Sequence, residues 1–214
     1  MKATLAIARR ELDAYFASPT GWLCLCGFVA ITGVFFVLTL YDYSNYALQA
    51  MGSPYGPQDL NINEWIIPPF FLNTAVILLL LCPALSMGLF AEDRKQRSLE
   101  LLLSSPISTT QIVVGKYLGA LGFLAVLLAG TLHVAVVLYW YGSPDPGVLA
   151  ASYGATFLLA ASFLAVGMLT SACTQSQVVA LVLSFGLLIV LWVLSWFEGT
   201  SDNLLTSVLA YTSM

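Results

Sequence analysis

The sequence predicts an all-α polytopic membrane protein, and three observations carry that prediction. Of its 214 residues, 59% are hydrophobic and only 8% are charged, against roughly a quarter charged in a soluble domain. Mean hydropathy is +0.90. Five apolar runs reach the length, about 20 residues, that a helix needs to cross the hydrocarbon core of a bilayer. A membrane β-barrel would show short segments of alternating polarity instead.

Residues 1–19 read as an amphipathic helix lying in the membrane interface. Leu5, Ala8, Leu12 and Phe16 recur at three- and four-residue spacing and share one face, while Lys2, Arg9 and Asp13 lie on another. Lys2, Arg9 and Arg10 are expected to meet anionic lipid headgroups. Charges interrupt the segment, so it does not read as a cleavable signal peptide. Ser18-Pro19 ends it.

The first span is expected at about 20–41, followed by an external loop, 42–65, that carries Asp42, Asp59 and Glu64. The second, about 66–91, contains Pro83, which should kink it by removing one backbone bond and crowding the preceding turn. A cytoplasmic loop covers 92–116. The third span, about 117–141, ends in Tyr139, Trp140 and Tyr141, and the turn "GSPDPG" leads to the fourth, about 148–170. The polar turn "SACTQSQ" precedes the fifth, about 178–197, which ends with Trp192 and Trp196. Such aromatic ends suit the headgroup level. Residues 198–214 read as an external tail, or as the start of a re-entrant segment before a sixth span.

Seven basic residues set the orientation: Lys2, Arg9, Arg10, Arg94, Lys95, Arg97 and Lys116. With five spans, all fall on one side. Positive charge marks the cytoplasmic side, which places the N-terminus and the 92–116 loop there.

No catalytic constellation is present. The single histidine, His133, has no acidic partner in a neighbouring span; a helix-to-helix hydrogen bond is the expected role. No metal site is expected. Cys24, Cys26, Cys82 and Cys173 read as small lipid- or core-facing residues. The Gly115-Lys116 pair lacks the other residues of a phosphate loop. Gly115 and Gly119 match the small-xxx-small pattern of close helix packing. No nucleic-acid partner is expected.

The most informative stretch is "EDRKQRSLELLLSSP", residues 92–106, in which Glu92, Asp93, Arg94, Lys95, Arg97 and Glu100 gather. Leu99, Leu102 and Leu103 are spaced to share one face of a short helix beside Glu100. Ser104, Ser105 and Pro106 end that helix. Residues "TTQIVVGKY" read as a second short amphipathic stretch that returns the chain to the membrane. Leucines exposed on the cytoplasmic side invite burial in a partner's groove, with Arg97 and Glu100 setting the orientation.

The segment "PALSMGLFAEDRKQRSLELLLSSPISTTQIVVGKYLGA" resembles the permease subunits of type-2 ABC exporters through Glu92, Leu99, Glu100, Leu102, Pro106, Ile112, Gly115 and Lys116. Together with "ARRELDAYFASPTGW", the approach to the second span and the tail "LLTSVLAYTSM", it is most similar to the gliding-motility-associated branch. Arg97 stands where that family usually has Gly, Ser98 where Thr is common, and Gly88 where many relatives carry a basic residue.

The resemblance implies a six-span fold of which five spans are visible, in the bacterial inner membrane. It implies a second permease subunit, identical or different, and two separate cytoplasmic ATPase subunits that hold the ATP and Mg. This chain then has no cofactor and no enzymatic activity of its own. The loop between spans two and three becomes the coupling helix, with Glu92, Arg97, Leu99, Glu100, Leu102, Leu103 and Pro106 toward the ATPase. The resemblance also admits an accessory membrane or periplasmic protein. The alternative function is a membrane scaffold or assembly factor that docks a cytoplasmic partner without transport of its own.

Overall fold

The computed structural model describes residues 2–51, 61–95 and 108–212, with side chains over 3–50, 61–94 and 108–194. Every regular element among them is an α-helix: α1 (Lys2–Ala17), α2 (Pro19–Met51), α3 (Ile62–Trp65), α4 (Ile67–Ser86), α5 (Gly88–Lys95), α6 (Thr109–Gly130), α7 (Leu132–Tyr141), α8 (Pro146–Cys173) and α9 (Gln177–Thr212). Five stretches are long and apolar enough to cross a membrane: Pro19–Ala50, Ile62–Arg94, Thr109–Tyr141, Pro146–Cys173 and Gln177–Leu194. The chain is a multi-pass membrane protein.

Helix ends differ from those expected, because an apolar run ends where hydrocarbon ends and a helix need not. The 33 residues of α2 extend about 50 Å at about 1.5 Å each, against a hydrocarbon core of about 30 Å. Its far end therefore runs into the expected external loop, where the Tyr46 ring stacks on Trp65 with centroids 4.4 Å apart. The fifth span likewise continues as one helix to Thr212, through residues expected to form a separate tail. At the other membrane face, "TTQIVVGKY" is the first part of the third span and not a separate stretch. Ser108 and Gln111 form a capping box: the Gln111 amide donates to Ser108 Oγ, and the Ser108 amide donates to Gln111 Oε1, both at 3.3 Å. This starts α6 at Thr109.

α4 lies at the centre of the bundle against α2, α8 and α9, while α6 packs on α1 and α8. Toward the α1 end the core holds Phe28, Leu78, Cys82, Phe123, Leu124, Leu127 and Leu164. Toward the other end it holds Phe36, Ile67, Phe70, Val134 and Leu138. Outward positions such as Leu23, Val37, Leu72, Leu80, Leu158 and Val178 are exposed and apolar, as a lipid-facing surface requires. The described basic residues all sit at one end, on α1, α5 and the first turns of α6.

α1 lies on α6 along a glycine seam. A Cβ on Gly115 would stand 2.8 Å from Ile7 Cβ, and one on Gly119 2.6 Å from Glu11 Cβ and 2.9 Å from the Ala8 carbonyl oxygen. On Gly122 it would stand 3.3 Å from Leu12 Cδ1. The seam centres the inward face of α1 on Ile7, Glu11 and Tyr15, four residues apart. The expected face therefore needs correction: Leu12 and Phe16 pack inward, but Leu5 is 72% exposed. Hydrophobicity alone pointed to Leu5, and the shape of the α6 groove overrides it.

Gly119→Leu should dislodge α1 at a cost of about 1–3 kcal/mol, the usual range for overpacking. Gly154→Ala, where a Cβ meets nothing within 4 Å, should be neutral or better. Thermal unfolding in detergent checks both, and an unchanged midpoint for Gly119→Leu would contradict the seam.

Candidate functional site

The charged stretch begins on α5, and the chain resumes at the start of α6. Arg97, Leu99, Glu100, Leu102, Leu103 and Pro106 lie outside the described residues. The structure shows what holds their two attachment points.

Lys116, in the second turn of α6, is 2% exposed. Its Nζ lies 2.9 Å from Glu11 Oε1 on α1 and 2.7 Å from Asp93 Oδ2 on α5. The ammonium also sits 5.6 Å from the centre of the Phe90 ring, a favourable cation–π approach. Removing an ammonium from water costs several kcal/mol, which close carboxylates must offset. Here two do so from two other helices. Arg10 reaches Glu11 Oε1 at 3.0 Å from a more exposed position, so the four charges sum to zero. The cluster ties the helices on both sides of the loop to each other and to α1.

A second set of contacts holds the break between α4 and α5 at Met87. Ser171 Oγ, from α8, donates to the Met87 carbonyl at 2.8 Å and accepts the Phe90 and Ala91 amides at 3.1 Å each. A hydroxyl is thus inserted into the helical ladder, a recognised cause of helix breaks. On the α1 side, Tyr15 donates to the Leu85 carbonyl at 2.8 Å. Burial pushes the Tyr15 phenol well above its ordinary pKa, with the Glu11 charge adding to the rise, so the group stays a donor. Gly167 gives room to Ser86, and Thr170 donates to Ser184 at 3.0 Å. Glu92 accepts from Gln177 Nε2 of α9 at 3.1 Å. Pro83 lies inside α4, one turn before the break.

The other candidates fall elsewhere. Arg9 is exposed and stands 3.9 Å from Asp13. His133 Nδ1 bonds to the Gly130 carbonyl at 2.9 Å. This is a contact within its own span, where a bond between helices was expected; the break at Thr131 leaves that carbonyl available. Cys82 is buried in the core and Cys26 and Cys173 are exposed. Among the described residues no three metal-ligating side chains converge.

Sequence reasoning missed Glu11, Asp93, Tyr15 and Ser171. Glu11 had a legible signal, being a carboxylate midway between Ile7 and Tyr15 on one helical face. Ser171 had none, since one serine in a polar turn resembles any other.

Comparison with known proteins follows the same lines. A model of the family described as ABC-2 family transporter protein matches residues 5–197. Two curated relatives are each named probable multidrug ABC transporter permease YbhR, one from Escherichia coli strain K12 and one from Escherichia coli O157:H7. Both are 27% identical over 150 residues, covering 70% of this chain and 39% of theirs. The chain thus spans about two fifths of the length of these relatives. No solved structure matches it.

Lys116→Met should strand two carboxylates at a largely buried site and cost about 3–5 kcal/mol, as when one partner of a buried pair is removed. Adding Glu11→Gln and Asp93→Asn should recover most of that loss. Thermal unfolding of the three-fold and single variants checks this, and a single variant as stable as the parent would contradict the ion-pair account.

Proposed function

We propose, because the chain belongs to the ABC-2 transporter family, that it is the membrane-spanning permease subunit of an ATP-driven exporter whose ATPase is a separate chain. The observation that supports this reading most directly is the double anchorage of α5 and α6. Lys116 joins them to α1, and Ser171 and Gln177 join α5 to α8 and α9. A loop that receives mechanical work needs stiff attachments into several spans, and one that only carries orientation charges does not.

In this reading the charged end of the bundle is cytoplasmic, in the inner membrane of a bacterium. Two ATPase subunits bearing ATP and Mg dock on the loop, and a second permease, identical or different, completes the pathway. Leu99, Leu102 and Leu103 enter the ATPase groove. Each buried leucine contributes about 1.5–3 kcal/mol before the cost of association. Glu92, Arg97, Glu100 and Pro106 set register and end the helix. Pro83 bends the second span just before the break that Ser171 holds. Lys2, Arg9 and Arg10 rest on anionic headgroups. The gliding-motility-associated branch is the proposed subfamily, on the sequence resemblance.

A scaffold that docks a cytoplasmic partner is the second reading, since the same anchorage would serve it. Purification of the complex from native membranes separates the two. The exporter reading expects a nucleotide-hydrolysing subunit to come down with the chain, and Leu102→Asp or Leu103→Asp to release it. Retention of a coupled ATPase by both variants would overturn the docking assignment, and capture of a partner without ATPase activity would favour the scaffold.

A further inference from the structure

A cleft of about 340 Å³ lies between α5, α6 and α8, lined by Phe90, Arg94, Ile112, Val113, Met168 and Leu169 among others. Small-molecule sites begin at about this size, roughly 300 Å³. Among the described residues its walls are apolar, and the polar side chains that line it are Arg94 and Thr109. The helices that form it turn Val114, Leu118 and Leu169 outward, with Leu169 62% exposed. Outward residues of this kind suit a cleft that opens toward hydrocarbon.

Its mouth carries a cation whose charge is not spent among the described residues. Of the three consecutive charges on α5, Glu92 turns to Gln177 and Asp93 to Lys116. Arg94 is exposed and, among the described residues, makes no ion pair. Thr109, also at the mouth, is the first residue of the 22-residue α6, whose N-terminal dipole adds positive potential there. The capping box occupies the Ser108 and Gln111 amides, which leaves those of Thr109 and Thr110 facing outward from the helix end.

We infer that this cleft binds one anionic phospholipid of the charged-end leaflet, its acyl chain along the α6–α8 seam and its phosphate at Arg94. The charge pattern selects that occupant. A neutral apolar ligand would not need Arg94, and a soluble anion would not need the seam. A bulky amphiphile would need polar groups deeper in the cleft to orient it, and among the described residues the polar side chains lining it are Arg94 and Thr109. The placement of this leaflet on the cytoplasmic side rests on the orientation proposed above.

The test uses the full chain in nanodiscs of equimolar phosphatidylglycerol and phosphatidylcholine with matched acyl chains. Retained lipid is counted by native mass spectrometry after release. The parent should retain phosphatidylglycerol about fivefold over phosphatidylcholine, which corresponds to the roughly 1 kcal/mol that one basic residue contributes near an anionic headgroup. Arg94→Gln should bring the ratio close to one while one lipid is still retained. Ala172→Phe, which fills the seam, should lower both lipids, and glycerol phosphate, a head without a tail, should displace neither. A parent ratio near one would overturn the inference. So would an undiminished preference in Arg94→Gln, or full-yield bonding of Leu102→Cys to Met168→Cys in a chain without its native cysteines, which would seat the chain's own loop in the cleft. No ATPase enters this assay. Loss of docking in Leu102→Asp therefore leaves the lipid ratio unchanged, and loss of the lipid preference leaves docking intact.

Discussion

One buried ammonium constrains the charged end of this bundle. Lys116 is shielded from water, so its charge is tolerable only with Glu11 and Asp93 both in place. Those carboxylates come from α1 and α5, so three separate helices must meet for the ammonium to have both of them. The glycine seam at Gly115, Gly119 and Gly122 lets α1 come close enough to deliver Glu11. Stacking of Tyr15 on Phe123, with centroids 4.7 Å apart, holds the same helix at its other end. Packing and charge therefore depend on each other at this site.

The break in the second span follows the same logic of satisfaction. A helix interrupted inside a membrane exposes backbone groups that lipid cannot bond. Here Ser171 takes the Met87 carbonyl and two amides, and Tyr15 takes the Leu85 carbonyl. α5 can thus depart from α4 without leaving those groups unpaired. Movement of α5 would have to be shared by α6, α8 and α9, because each contacts it through a directional bond, and by α1 through Lys116. The exporter proposed above, driven by a separate ATPase, would have use for such a shared element.

Much of this architecture was legible in the sequence, and its limits have physical causes. The five spans follow from hydrocarbon length, and the gathering of basic residues at one end from their positions. The Gly115–Gly119 pattern announced a close helix contact, though not that α1 would make it. Helix ends were misplaced where a helix leaves the bilayer, as at Met51, or enters it through a capping box, as at Ser108. The inward face of α1 was turned away from Leu5 because a groove selects shape as well as hydrophobicity. Lys116 read as one of the orientation charges, because nothing local in "GKYLG" reveals that two carboxylates, 105 and 23 residues away in the chain, close over it.

The central claim is that Lys116 makes α1, α5 and α6 one body on which the loop is mounted. Spin labels at Arg9→Cys on α1 and Arg94→Cys on α5, in a chain without its native cysteines, test it by pulsed electron resonance on the complex with the ATPase proposed above. The account predicts a narrow distance distribution that does not move between nucleotide-free and ATP-bound states, and that broadens when Lys116→Met is added. A distance that shifts by several ångströms with ATP while Lys116 is intact would contradict it.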